Sequence, residues 1–191
     1  MRRLSMTLMI AAVLAATPAL ADGEASEVRQ SGGLLDASAH RRPMMISLFA
    51  GVPHAYWYYA GFPFGVGGRF LIPLAHDGFI PRVNDEFDIE FGVDFLGVAP
   101  RGAFYGVFAI PVEVMWRFHM VDRLSLYAKL GAAIEFGVSG YYCYYGACRT
   151  GVGVGAQPIG NVGLIFMATK TIALRLEAGY PWVKAGIGFA F

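Results

Sequence analysis

The sequence predicts an all-β fold: an eight-stranded antiparallel up-and-down barrel that crosses a bilayer. Three observations carry that prediction. Between residues 86 and 95, Phe87, Ile89, Phe91, Val93 and Phe95 alternate with Glu86, Asp88, Glu90, Gly92 and Asp94, and a strand sends successive side chains to opposite faces. The same two-residue period recurs along most of the chain. Hydrophobic residues make up 56% of the 191 residues, above the usual 45–50% of soluble domains. Finally, the charged phase of each segment is also rich in glycine and alanine, among them Gly131, Ala133, Gly137, Gly179, Gly186 and Gly188. Small residues suit the crowded inside of a narrow barrel, and bulky Leu, Ile and Phe suit its lipid side.

Residues 1–21 read as a cleaved secretory signal. Arg2 and Arg3 supply the positive start, residues 4–14 are mostly apolar, Thr17-Pro18 interrupts, and Ala19-Leu20-Ala21 has the small-x-small form of a cleavage site. The apolar part is short for a spanning helix. Residues 22–42 are polar and aperiodic and are expected to form a flexible periplasmic tail. Residues 43–191 form the barrel.

The predicted strands follow in order. Residues 44–52 place Ile46, Leu48, Ala50 and Val52 on one face. Residues 64–73 place Phe64, Val66, Phe70 and Ile72 opposite Arg69. Residues 86–98 form the third strand. The fourth lies within 104–120, with Ile110, Val112, Val114, Trp116, Phe118 and Met120 opposite Glu113, Arg117 and His119. After the tight turn at 121–123, residues 124–138 give the longest clean alternation: Leu124, Leu126, Ala128, Leu130, Ala132, Ile134, Phe136 and Val138 oppose Ser125, Tyr127, Lys129, Gly131, Ala133, Glu135 and Gly137. The sixth lies within 152–168, and Thr169-Lys170 turns the chain. Residues 172–180 set Ile172, Leu174 and Leu176 against Arg175 and Glu177, and residues 183–191 close the barrel.

Two other folds compete for this pattern. A helical membrane protein is contradicted by Pro43, Pro53 and Pro63 in the longest uncharged stretch and by the period of two wherever charges occur. A soluble barrel with an oily cavity would turn its charged face to water, and a face so rich in glycine and alanine fits an interior better. An even number of strands with both termini on one side gives eight. The short turns after the fourth and sixth strands suit the periplasmic side, and the long fifth-to-sixth connection suits the outside. Two connections misfit: 74–85 is long for a periplasmic turn, and 180–183 is short for an outer loop.

At its end the chain carries Val183, Ala185, Ile187, Phe189 and Phe191 in alternation. In this respect it resembles the small eight-stranded outer-membrane barrels of the OmpA and OmpX type, over residues 44–191 and at the level of architecture. The resemblance implies residence in the bacterial outer membrane. It also implies that Ile187, Phe189 and Phe191 act as the signal read by the barrel assembly machinery, which joins the outer-membrane lipids as an expected partner.

The inward set predicted from phase is Arg69, Asp88, Glu90, Asp94, Glu113, Arg117, His119, Lys129, Glu135, Arg175, Glu177 and Lys184. Its signs nearly balance, as a salt-bridged plug requires, because isolated buried charges are costly. Eight strands leave little room for a pore once side chains fill the lumen. The expected role is therefore structural, or surface interaction through the outer loops; a narrow channel for small ions or solutes is the first alternative and a lipid-modifying enzyme the second. No enzyme activity is expected, since His54, His119 and Ser139 show no triad spacing; no cofactor is expected, and metal binding at Cys143 and Cys148, the rival to a disulfide, lacks an interleaved His or acid. The glycines at 151, 153 and 155 have inner-face spacing and are no phosphate loop.

Tyr56-Trp57-Tyr58-Tyr59 and Tyr141, Tyr142, Tyr144 and Tyr145 gather near two outer connections. They suit an aromatic belt, or an extracellular ligand at the aromatic loops. Trp116, Tyr180 and Trp182 are expected as interface anchors. Cys143 and Cys148, exported to an oxidising compartment, are expected to form a disulfide. With 15 Lys+Arg against 14 Asp+Glu and no basic run, nothing points to nucleic acid.

Overall fold

The computed structural model describes residues 33–36, 42–54, 61–75, 78–80, 82–100, 104–144 and 147–191. Within these, side chains are described except at 61, 99–100, 104–105, 138–144 and 147–152. Eight strands follow one another: β1 (Met45–Pro53), β2 (Gly61–Ala75), β3 (Asp85–Pro100), β4 (Phe104–Val121), β5 (Leu124–Tyr144), β6 (Ala147–Met167), β7 (Ile172–Tyr180) and β8 (Trp182–Ala190). Each pairs antiparallel with its chain neighbour, and β8 returns to β1, so the sheet closes into a barrel. Closure leaves no sheet edge around the belt where all eight strands are present. No helix among the described residues is long and apolar enough to cross a membrane, which says nothing about strands.

The period of two sets which side chains line the lumen. Along β5, Leu126, Leu130 and Ile134 are exposed outside the barrel, while Ser125, Tyr127, Lys129 and Ala133 are buried inside. On β1, Ile46 and Leu48 face out while Met45, Ser47 and Phe49 are buried. Leu130 is 75% exposed; in water so large an apolar surface would be a liability, and against hydrocarbon it is the ordinary state of a barrel wall. Pro111 stands in a central strand, where it has no N–H to give. The β3–β4 ladder accordingly skips from Phe91↔Val112 to Asp94↔Ala109.

Strand lengths divide the barrel into a low side and a tall side. β1, β7 and β8 have nine residues each, while β5 and β6 have 21 each. Pairing of β6 to β7 begins only at Gly160↔Tyr180. The sequence pattern predicts a fifth strand ending at 138 and a long connection to 152; instead the two strands stay paired out to Tyr144↔Ala147, so the β5–β6 hairpin rises beyond the rim made by the β7–β8 turn. At the other end, where β1 starts and β8 finishes, the turns are tight, except that the β2–β3 connection folds into a small structure of its own. There residues 33–36, part of the stretch read from sequence as a tail, make a turn whose Leu34 carbonyl accepts from the Asn84 amide (2.8 Å).

Candidate functional site

Among the described residues, the lumen holds two groups of ion pairs with apolar packing around them. The larger group sits at mid-barrel. Glu90 of β3 lies directly opposite Glu113 of β4 in the register, an unfavourable pairing of like charges on its own. Lys129, from β5, resolves it. Its Nζ is 2.5 Å from Glu90, 3.0 Å from Glu113 and 2.9 Å from Glu177. Arg175 enters from β7 and reaches Glu90 at 2.7 Å and Glu177 at 2.9 Å. It also donates to Ser47 Oγ at 2.9 Å. Its guanidinium lies over the rings of Phe49 and Tyr127, 4.9 and 5.5 Å from their centroids. Tyr127 donates its hydroxyl to Glu177 at 2.7 Å. Lys184 faces Glu177 across the β7–β8 pair, at 2.9 Å. Arg69 and Asp94 form a two-pronged pair, 2.5 Å on each prong, the geometry in which a guanidinium binds a carboxylate most strongly. Asn161 donates to Glu113 at 2.8 Å.

The second group closes the end nearer the termini. Arg117 and Glu86 are register partners and are ion-paired. Arg117 also holds Asp88 at 2.9 Å. Arg42, just ahead of β1, brings a further guanidinium to Glu86 at 2.6 Å. His119 Nε2 lies 3.2 Å from Glu86, and its Nδ1 lies 3.0 Å from Ser125 Oγ. Around these charges the lumen is packed by Met45, Leu71, Met115, Tyr127, Ile165, Ala173 and Ala190. On the far side of the mid-barrel group, Phe49, Leu96 and Trp182 form another apolar cluster.

Of the twelve residues predicted from phase, Arg69, Asp88, Glu90, Asp94, Glu113, Arg117, Lys129, Arg175, Glu177 and Lys184 are buried in these two groups. His119 is half-buried at the end of the second. Glu135 stands apart near the far mouth, half-buried, with the side-chain amide of Gln157 as its partner. Gln157 in turn accepts from Tyr180 Oη at 3.0 Å.

Several participants are absent from the predicted set. Glu86 shares the phase of Asp88, and Ser47 and Tyr127 lie in the minority phase of their strands, so alternation could have found them. Arg42 precedes the first strand and carries no periodic signal. A residue-level expectation is corrected. Trp182 is no interface anchor: it is 1% exposed, with Lys184 Nζ 4.8 Å from its ring centroid. The strand phase that puts Val183 outside must put Trp182 inside. Trp116 does face outward, and its indole N–H donates to Asp85 at 2.8 Å. Tyr180 is exposed.

Residues 55–60, with the Tyr56–Tyr59 cluster, lie outside the described residues, as do His40, His76 and Tyr145. The backbone at Tyr141, Tyr142, Tyr144 and Ser139 belongs to β5, without described side chains. Cys143 and Cys148 are register partners across the β5–β6 hairpin, and their thiols are likewise outside the described side chains.

No family model matches the chain, and no curated protein matches it. Solved structures do. The chain is similar to Ail, the attachment invasion locus protein of Yersinia pestis, at 15% identity and a TM-score of 0.53 over 79% of this chain and 100% of that one. Ail in complex with the heparin analogue sucrose octasulfate gives 14% identity and a TM-score of 0.53, over 78% and 97%. Neisserial surface protein A gives 11% identity and a TM-score of 0.49, over 78% and 96%. At such identities the likeness is one of fold, and the chain has the fold of the small eight-stranded outer-membrane β-barrels.

Proposed function

We propose that this protein is an outer-membrane barrel whose body is a closed anchor and whose β5–β6 hairpin is its interaction surface. The carrying observation is the contrast between the packed, ion-paired lumen and the tall hairpin. Among the described residues, the buried carboxylates and cations stand in ion-pair range of one another, four of each sign at mid-barrel, which leaves little net field to draw ions through. Beyond Gly160 the chain continues as two long strands above a low rim, where β6 has β5 as its ladder partner and 153–156 are exposed on both faces. An edge with no second ladder partner among the described residues offers backbone donors and acceptors to a partner.

In this reading residues 1–21 export the chain, Ile187, Phe189 and Phe191 present it to the assembly machinery, the apolar wall meets outer-membrane lipids, and a Cys143–Cys148 disulfide stiffens the hairpin tip. An extracellular ligand would meet the hairpin and its tyrosines. Ail's complex with a heparin analogue makes a sulfated polysaccharide a reasonable probe for this chain.

The test removes 138–152 and joins Gly137 to Gly153 through an Asn-Gly turn, which suits a two-residue hairpin. Cells displaying the full and shortened proteins are compared for retention on immobilised heparin and on epithelial monolayers. Retention lost in a variant that keeps its heat-modifiable gel mobility supports the reading. Equal retention, or none with either protein, contradicts it.

A lipid-modifying enzyme is the second reading, and one observation favours it: Ser125 Oγ is hydrogen-bonded to His119 Nδ1, and His119 Nε2 lies 3.2 Å from a Glu86 carboxylate oxygen, so the three stand in the order of a nucleophile, a base and an orienting acid. Against it, Ser125 is buried and Glu86 is already committed to Arg42 and Arg117. The series fits a strut closing the barrel end. Phospholipid or lipid A turnover by the purified protein, abolished in Ser125→Ala, would establish the enzyme instead.

A further inference from the structure

The β2–β3 connection is long for a turn that merely reverses the chain, and its structure shows a use for the length. Gly78 N–H donates to the Asp85 carbonyl at 3.0 Å, and Val83 N–H to the Ile80 carbonyl at 3.1 Å. Arg82 takes a left-handed backbone, φ 71°, uncommon for a residue with a side chain. Gly78 packs so closely on the Asp85 carboxyl that a Cβ would overlap it. The same carboxyl accepts the Trp116 indole N–H. The connection is thus a built loop fastened to the barrel wall.

What it displays is apolar. Phe79 is 79% exposed and Ile80 is also exposed; the neighbouring 33–36 turn, tied on through Asn84, shows Leu35 at 80%. The Phe79 ring centroid is 4.4 Å from that of Phe87 on the outer face of β3. Phe87 stacks on Trp116 at 5.4 Å, and Trp116 meets Phe118 at 4.8 Å. The loop therefore prolongs the outward aromatic face of β3 and β4 beyond the strand ends, with exposed Arg82 beside it.

We propose that this loop is an interfacial foot that seats Phe79 and Ile80 in the headgroup–acyl boundary of the phospholipid leaflet, with Arg82 at the phosphates. The proposal rests on the reading of the barrel as a bilayer protein. Its occupant follows from continuity, because Phe79 extends a wall that already faces lipid. Apolar side chains beside a cation are the composition of segments that lie in a membrane interface. Aromatic rings at that depth are favoured there.

The test uses the full chain carrying Cys143→Ser and Cys148→Ser, with a single cysteine bearing an environment-sensitive fluorophore at Phe79→Cys, Leu130→Cys or Asp122→Cys. Each is reconstituted into phosphatidylethanolamine/phosphatidylglycerol vesicles after its heat-modifiable mobility is checked. Some vesicles contain lipids spin-labelled near the headgroup end of the acyl chain, others lipids labelled near its middle. Position 130 reports the wall, and position 122, in the exposed β4–β5 turn, reports water. The foot predicts quenching at 79 by the shallow label several-fold above that at 122, and protection from aqueous iodide. Free access of iodide to 79 without lipid quenching would overturn it. Shielding of 79 from both quenchers would also overturn it, in favour of a protein partner on the loop. Absence of lipid quenching at 130 would instead overturn the bilayer reading itself, so the two failures are distinct.

Discussion

Lys129 and Glu135 stand on the same face of β5, and their surroundings differ completely. Lys129 is fully buried and held by Glu90, Glu113 and Glu177 from three other strands. Glu135 is half-buried, with a neutral amide from Gln157 for a partner. One strand thus passes from a closed belt into an open mouth within a few residues. The belt exists where all eight strands surround the lumen; the mouth begins where β1, β7 and β8 have ended. Charge in the first region is structural and must be matched, whereas charge in the second meets solvent and is free to vary.

That contrast predicts a graded response to substitution. Lys129→Met should have the largest effect, because it leaves carboxylates packed together without their shared cation. Breaking a buried ion pair from one side costs about 3–5 kcal/mol, to be read from urea unfolding in lipid vesicles. If the variant matches wild type, the belt is not what holds the lumen together. Leu130→Arg, the next residue and on the opposite face, should cost about 2–4 kcal/mol by placing a cation near the bilayer midplane. A negligible loss there would mean that this face does not meet hydrocarbon.

The hairpin should be less sensitive. Reduction of a Cys143–Cys148 disulfide should cost roughly 2 kcal/mol on the chain-entropy model. Intact-mass measurement after alkylation should show two added groups only when a reductant is present; alkylation without it would exclude the bond. Glu135→Gln should be smallest, within about 0.5 kcal/mol, as for surface substitutions away from special features. A cost as large as that of Lys129→Met would erase the distinction between belt and mouth.

Much of this was legible because a closed barrel is governed by a single period. The inward phase can be read strand by strand, most plainly in β5, where Lys129 and Tyr127 alternate with Leu126, Ala128 and Leu130. The register is less accessible. Nothing local announces that Glu90 will oppose Glu113, or that Lys129 will arrive between them, since pairing depends on strand offsets accumulated around the barrel. Trp182 illustrates the other weakness. Residue type suggested a membrane anchor, but its neighbour Val183 faces out, and alternation then leaves the indole only the lumen. Arg42 was hidden for a third reason: it acts from outside any strand, where periodicity carries no information. The long 74–85 connection was visible as a misfit, and the ladder from Phe79 through Phe87 to Trp116 supplies its physical reason.

A lumen closed by its own charges should not conduct, and planar-bilayer recording measures this. Purified full-length protein, inserted as judged by its heat-modifiable form, should give no reproducible conductance steps. Steps that recur in the wild type and change in Glu135→Gln or Arg175→Gln would contradict the account and make the charged interior a pathway.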